Sequence, residues 1–288
     1  MRAEPLLKKE TSPFVVVALQ ECTRMNTLIT EIRRSLSELQ KGLDGQLNMS
    51  EPMEDLMQAL SINQVPGRNP FHKTSWEKLA WWSKKSLSSW FLDLLRRVNQ
   101  LEDWSMDLVL PYSLWLPGLF NPTAFLTAVM QVTARRNGYP LDNMTTETHV
   151  TTLVNPSACK AYPVDGAFVY GLFLEGARWA THNEDGDALP VEDLGGTPCA
   201  GYLENSKLKE LLPPMPIVYI KAVTVKPGWT PSSVGYLRGD PSVYECPVYI
   251  TTFRGPTYVF LATLRTREGD DAKKWVLAGV AIIMSEDD

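Results

Sequence analysis

Cysteine and histidine are scarce, with four Cys and three His in 288 residues. Cys22, Cys159, Cys199 and Cys246 stand far apart without C-x-x-C spacing. His72, His149 and His182 share no ligand spacing with Cys, Asp or Glu. Both absences argue against a zinc site, and the cysteine pattern leans towards a reducing compartment. Basic residues are outnumbered, 28 Lys and Arg against 33 Asp and Glu, a formal net charge of -5. The overall basic footprint of a nucleic-acid binder is therefore missing. No run reaches the about 18 apolar residues of a membrane-crossing helix. The first residues, MRAEPLLKKE, lack the basic-then-apolar order of a signal peptide.

Catalytic motifs are missing too: neither G-x-S-x-G nor H-E-x-x-H occurs. The nearest approach to a phosphate-binding loop is Gly67 to Thr74, GRNPFHKT. There His72 stands where the second glycine must turn its backbone to the phosphate, and Pro70 removes an amide from the cradle. A loop between helices is the expected role. Cys246 with distant histidines has the outline of a thiol nucleophile. Pro247 follows it directly, however, within a β-prone run, so a buried small hydrophobe is expected. Glu184, Asp185 and Asp187 lack the order of a calcium loop and read as a solvated turn. No catalytic, cofactor-binding or metal-binding residue is assigned.

What is present is a polypeptide of ordinary globular composition, 44% hydrophobic and 21% charged, with two contrasting halves. From Pro13 to about Leu43 the apolar residues Ala18, Cys22, Met25, Ile29, Ile32, Leu36, Leu39 and Leu43 recur at alternating spacings of four and three. That is the seam of a long amphipathic helix, with Gly42 and Gly45 ending it. Ser50 is a candidate N-cap for a short helix to about Leu60. Helical stretches are expected over Trp76 to Lys84 and Leu87 to Leu101. Six of the nine Trp fall between Trp76 and Trp115, a cluster that serves to pack helices together. Asn121, Pro122 and Gly138 mark both ends of a further helix, with Phe125, Val129 and Val132 along one side.

Beyond about Thr145 the runs are short, β-branched and punctuated by Gly and Pro. Strands are predicted over residues 168–174, 217–225, 248–253, 258–265 and 275–283. With no helices between them, they suggest an antiparallel sheet or small barrel. Residues 181–201 and 227–241 read as exposed loops. The division expected is a helical subdomain over 1–140, with a long helix 13–43 and Trp-rich helices to 137. An antiparallel β-barrel or sheet follows over 141–288, making an α+β fold.

Several ordered blocks resemble the C-terminal domain of dynein heavy chains. They include Val17 to Asn26 (VALQECTRMN), Trp115 to Pro122 (WLPGLFNP), Val169 to Trp179 (VYGLFLEGARW), Tyr244 to Tyr249 (YECPVY) and Lys274 to Val280 (KWVLAGV). Gly255 to Tyr258 (GPTY) beside Gly118 to Pro122 looks most like axonemal outer-arm dyneins. The resemblance implies a helical bundle plus a small β-barrel lying on one face of a ring of six AAA+ modules. It implies no ATPase site and no cofactor here, ATP and Mg²⁺ belonging to the parent motor. The implied partners are the AAA+ modules of the same polypeptide, with microtubule contact made by other parts and neither nucleic acid nor membrane bound. The implied location is the axoneme of a cilium or flagellum. Met1 is then expected to mark a cut within a longer polypeptide. Residues 181–201 and 227–241 are longer than the family's usual connections. An adaptor surface in the Trp-rich half and a cysteine-dependent enzyme are the competing readings. The N-terminal part of the long helix, Phe14 to Met25, is expected to reach away from the fold towards the ring.

Overall fold

A computed structural model describes residues 11–66, 76–163, 165–180, 193–194, 197–198, 202–205, 215–225, 243–266 and 272–284. Helices come first: α1 (Pro13–Leu43), α2 (Glu51–Ser61), α3 (Trp76–Leu79), α4 (Leu87–Asp107) and α5 (Pro122–Asn137), with a two-residue strand β1 (Leu114–Trp115) before the last. Then follow β2 (Met144–Val150), β3 (Ala167–Tyr170), β4 (Phe173–Glu175), β5 (Ala177–Ala180), β6 (Asp193–Leu194), β7 (Thr197–Pro198), β8 (Tyr202–Asn205), β9 (Val218–Thr224), β10 (Val243–Tyr249), β11 (Tyr258–Arg265), a short α6 (Ala272–Leu277) and β12 (Ala281–Ile283). The helix-rich half thus precedes the sheets, as expected. No helix among the described residues is long and apolar enough to cross a membrane.

The protein forms two compact units. Val15–Val109 and Gly118–Phe120 make the helical one; the residues up to Phe14, Leu110–Pro117 and Asn121–Glu286 make the other, which holds the sheets and α5.

In the helical unit α1 has the predicted bounds, but its buried seam is turned. Val17, Ala18, Glu21, Met25, Leu28, Ile32 and Leu39 are buried, whereas Leu36 and Leu43 are exposed. The seven-residue repeat Ala18, Met25, Ile32 and Leu39 is kept, but the second buried row is Glu21 and Leu28, three positions on, rather than Cys22, Ile29 and Leu36, four positions on. Phe14 to Met25 does not reach away: Val17, Ala18, Glu21 and Met25 are buried. Ser50 sits at the N-cap of α2, yet its hydroxyl makes no capping bond. The stretch from Trp76 is helical only to Leu79. α4 runs on past Leu101 to Asp107, where Leu108 takes a left-handed conformation (φ 52°). Asn63, just beyond α2, binds the start of α4: its carbonyl accepts from Leu87 N–H at 2.9 Å, and its side-chain oxygen accepts from Ser88 N–H at 3.0 Å.

In the sheet-bearing unit α5 begins and ends as its capping residues dictate. Asn121 Oδ1 accepts from Ala124 N–H at 3.1 Å, and Gly138 closes the helix at φ 70°. Phe125, Leu126, Ala128 and Val129 are buried, and Val132 is half-buried. This apolar side packs on β9, β2 and β11.

Beside the antiparallel pairs β5-β8 and β6-β7, the two four-stranded sheets are mixed and open, not a purely antiparallel sheet or closed barrel. One has the order β1-β3-β9-β2, the other β11-β10-β12-β4. β1 runs parallel to β3, and β12 runs parallel to β10. The antiparallel expectation misses the β12 pairing because residues 275–283 are not one strand. Trp275 to Leu277 belong to α6, Gly279 turns the backbone at φ 68°, and only Ala281–Ile283 is extended. A connection containing a helix can set a strand parallel to a non-sequential neighbour. The predicted strand 168–174 is likewise broken, at Gly171 (φ 85°), where an added Cβ would collide with the Trp115 indole. β10 starts at Val243 and stops at Tyr249, earlier than predicted at both ends. Thr148 and Thr263 join β2 to β11: Thr148 N–H donates to Thr263 Oγ1 at 2.7 Å, and that hydroxyl donates back to Thr148 carbonyl at 3.2 Å.

Candidate functional site

Cys246 lies on β10, whose side chains alternate between half-buried and buried: Tyr244, Cys246 and Val248 face inward. Its thiol is fully buried (0% exposed), and burial pushes its pKa well above the usual thiol range. A nucleophilic cysteine needs the opposite, an accessible and stabilised thiolate. Cys22 and Cys159 are likewise raised by burial. His149 is occupied elsewhere, with Nε2 3.8 Å from Glu147 and its ring stacked on Tyr219 at 5.9 Å. Among the described residues, no group of three His, Cys, Asp or Glu could hold a metal. His72, His182, Cys199, the Gly67–Thr74 stretch and Glu184, Asp185 and Asp187 lie outside the described residues.

The strongest chemistry that the fold does bring together sits inside the helical unit. Arg97 points from α4 into the interior at 4% exposure. Its guanidinium lies over the Trp81 ring at 3.9 Å and 3.6 Å from Asp93. Burial, opposed by Asp93 and Glu21, pulls its pKa down to about 10, so the group is still cationic at neutral pH. Glu21 of α1, 1% exposed, accepts from Phe120 N–H at 2.6 Å. Around the ion cluster the rings form a stack: Trp81 on Trp90 at 5.2 Å, Trp76 on Trp90 at 6.2 Å, and Phe120 edge-on to Trp81 at 6.1 Å. Trp76 Nε1 donates to Ser35 Oγ on α1 at 3.0 Å. The Trp-rich segment is therefore largely interior packing.

Neither charged residue belongs to a sequence motif, yet both carry a positional signal. Trp90, Leu94, Arg97, Leu101 and Trp104 recur at four, three, four and three, so Arg97 occupies a core position on α4. Glu21 occupies the corresponding position between Ala18 and Met25 on α1. A charge at a core position of a helix implies a buried partner.

Two further polar features complete the inventory. In the sheet-bearing unit Arg254 donates to Glu175 at 2.5 Å and to Gly279 carbonyl at 2.8 Å, while Tyr244 hydroxyl donates to Val280 carbonyl at 3.0 Å. These contacts fasten the turns around β12. In the helical unit a groove of about 480 Å³ runs between α1 and α2, floored by Leu56, Val65 and Trp76. On its rim Arg34 is bridged to Glu31 and Glu38 at 2.7 Å each, and those hydrogen bonds raise its pKa further.

Comparison with known proteins identifies the family. Residues 2–284 match the family described as the C-terminal domain of the dynein heavy chain, and the protein belongs to that family. Among its relatives, the dynein axonemal heavy chain 9 of Homo sapiens is 44% identical over 276 residues, 96% of this chain. The ciliary dynein beta chain of Heliocidaris crassispina is 43% identical over the same length. The flagellar outer-arm dynein beta chain of Chlamydomonas reinhardtii is 44% identical over 272 residues, 94% of this chain. The protein spans only about 5% of the length of each of these relatives.

Proposed function

We propose that this protein is a non-catalytic module of an axonemal dynein heavy chain, acting in a cilium or flagellum. It packs on the AAA+ ring formed by other parts of the same polypeptide and modulates an ATP-driven microtubule motor. The observation that carries this reading is the family match across residues 2–284. Support comes also from the sealed Cys246 thiol and from Arg97 and Glu21, whose charges are spent on the interior. A module of this kind changes motor output only by binding some nucleotide states of the ring better than others, since equal contacts shift no equilibrium. ATP, Mg²⁺ and the microtubule are met by other parts of the motor.

The test is calorimetry of the isolated module with ATP and Mg²⁺, together with a phosphate-release assay. Neither binding nor turnover is expected. A dissociation constant in the micromolar range, or steady phosphate release, overturns the non-catalytic reading.

A further inference from the structure

Asparagine followed directly by glycine occurs once in the chain, at Asn137-Gly138. Such a pair can react with itself, because a residue without a side chain lets its backbone nitrogen reach the preceding amide. The fold places the pair within reach of water. Asn137 is the last residue of α5, Gly138 takes the left-handed position after it (φ 70°), and residues 135–140 are all exposed. Both reacting groups are nevertheless held by the folded helix end. Asn137 Nδ2 donates to Thr133 carbonyl at 3.1 Å, Gly138 N–H donates to Ala134 carbonyl, and Tyr139 N–H donates to that same oxygen at 3.0 Å.

We propose that Asn137 is a site of spontaneous deamidation, gated by opening of the last turn of α5. Helix ends open more readily than cores. Once the turn opens, the Gly138 backbone nitrogen gives its proton to solvent and attacks Asn137 Cγ. The new N–Cγ bond closes a cyclic imide, the Cγ–Nδ2 bond breaks, and the side-chain nitrogen takes up a proton and leaves as ammonia. Water then adds to either imide carbonyl, giving aspartate or isoaspartate. Ammonia is lost and water gained, with no oxidation or reduction.

Both products alter the helix end. Each carries a negative charge at the C-terminus of α5, where the helix dipole favours a cation. Neither can donate to Thr133 carbonyl as the amide does. The new carboxylate also competes for Arg136, which is bridged to Asp165 at 2.9 Å. Isoaspartate further inserts a methylene into the main chain, so the spacing that lets Gly138 and Tyr139 share the Ala134 carbonyl is lost. The connection affected leads directly into β2, which pairs with β9 from Met144 to Val150. The modification is a slow clock that loosens the sheet-bearing unit.

The test follows the native protein and a urea-unfolded sample through prolonged incubation at mildly alkaline pH. Aspartate and isoaspartate at position 137 are resolved by peptide chromatography and mass. Both products are expected in the native protein, forming about tenfold more slowly than in urea, the protection of a fraying helix end. Asn143, also exposed but followed by Met144, is the reference and should convert more slowly in both samples. Arg135→Gly weakens the last turn through its poorer helix propensity and should speed conversion about threefold to fivefold. Asn137→Gln should abolish it. A measurement on the parent protein needs no variant: sub-denaturing urea should raise the rate in step with hydrogen exchange of the Gly138 and Tyr139 amides. Equal rates in native and unfolded samples overturn the gate, as does a constant rate while those amides exchange faster. No product in the native protein after the unfolded sample has converted fully overturns the site. The converted fraction, separated by charge, should show a lower urea midpoint than the unconverted protein; equal midpoints overturn the effect on the sheet-bearing unit.

Discussion

A guanidinium taken out of water costs several kcal/mol unless partners surround it. Arg97 meets that cost with the Trp81 face, the Asp93 carboxylate and the field of Glu21. Replacing Arg97 by Ala leaves the buried Glu21 and the half-buried Asp93 short of their cation and empties the space over Trp81. A loss of about 3–5 kcal/mol is expected in urea unfolding. Arg97→Lys should not rescue it fully, because an ammonium cannot stack its plane on an indole. A lysine variant as stable as the parent contradicts this account. Cys246 makes a different prediction. Burial raises its folded-state pKa above the ordinary 9.0, so its contribution to stability is complete below about pH 9 and declines as the pH rises further. Tyr244, also raised by burial from 10.0, acts in the same direction from about pH 10. Each group can contribute up to about 1.4 kcal/mol per pH unit in that window. Urea midpoints of the parent should therefore fall between about pH 8 and about pH 10.5 more steeply than those of Cys246→Ala. Equal slopes would show that the thiol is not responsible. A thiol reagent at neutral pH should leave Cys246 unlabelled until the protein unfolds.

At the scale of elements, α5 is the helix on which the sheet-bearing unit depends. Phe125 is 0% exposed in the face that packs on β9, β2 and β11. Phe125→Ala is expected to cost about 3–5 kcal/mol, read from thermal or urea unfolding. A change below about 1 kcal/mol would mean that the site collapses without a cavity. Asn121→Ala removes the bond to Ala124 N–H and should cost about 0.5–2 kcal/mol. Gly171→Ala combines an unfavourable positive φ with a collision against Trp115. Its destabilisation should exceed that of the Asn121 variant, because neither strand β3 nor the indole can move independently.

At the scale of the whole molecule, the helix bounds that carry strong local signals were legible. α1 and α5 match their predicted ends because amphipathic period and capping chemistry are local properties. β11 matches for a similar reason, its β-prone run being bounded in the sequence by turn-forming residues on each side. Ser50, Leu36 and Leu43 show the limit of such signals: the residue types fit a cap and a seam, but the hydroxyl and the two leucines are left outside. Tertiary structure alone decided the parallel pairings of β1 with β3 and of β12 with β10. It also decided that α5 packs on the sheets and that Trp275 to Leu277 fold as a helix. Those choices depend on which distant residues meet, and a local period carries no information about them. The Arg97 and Glu21 cluster lies between the two cases. Its residues occupy core positions that the heptad spacing reveals, but only tertiary packing brings the Trp81 ring and the Phe120 amide, from outside α1 and α4, to let a charge stay inside.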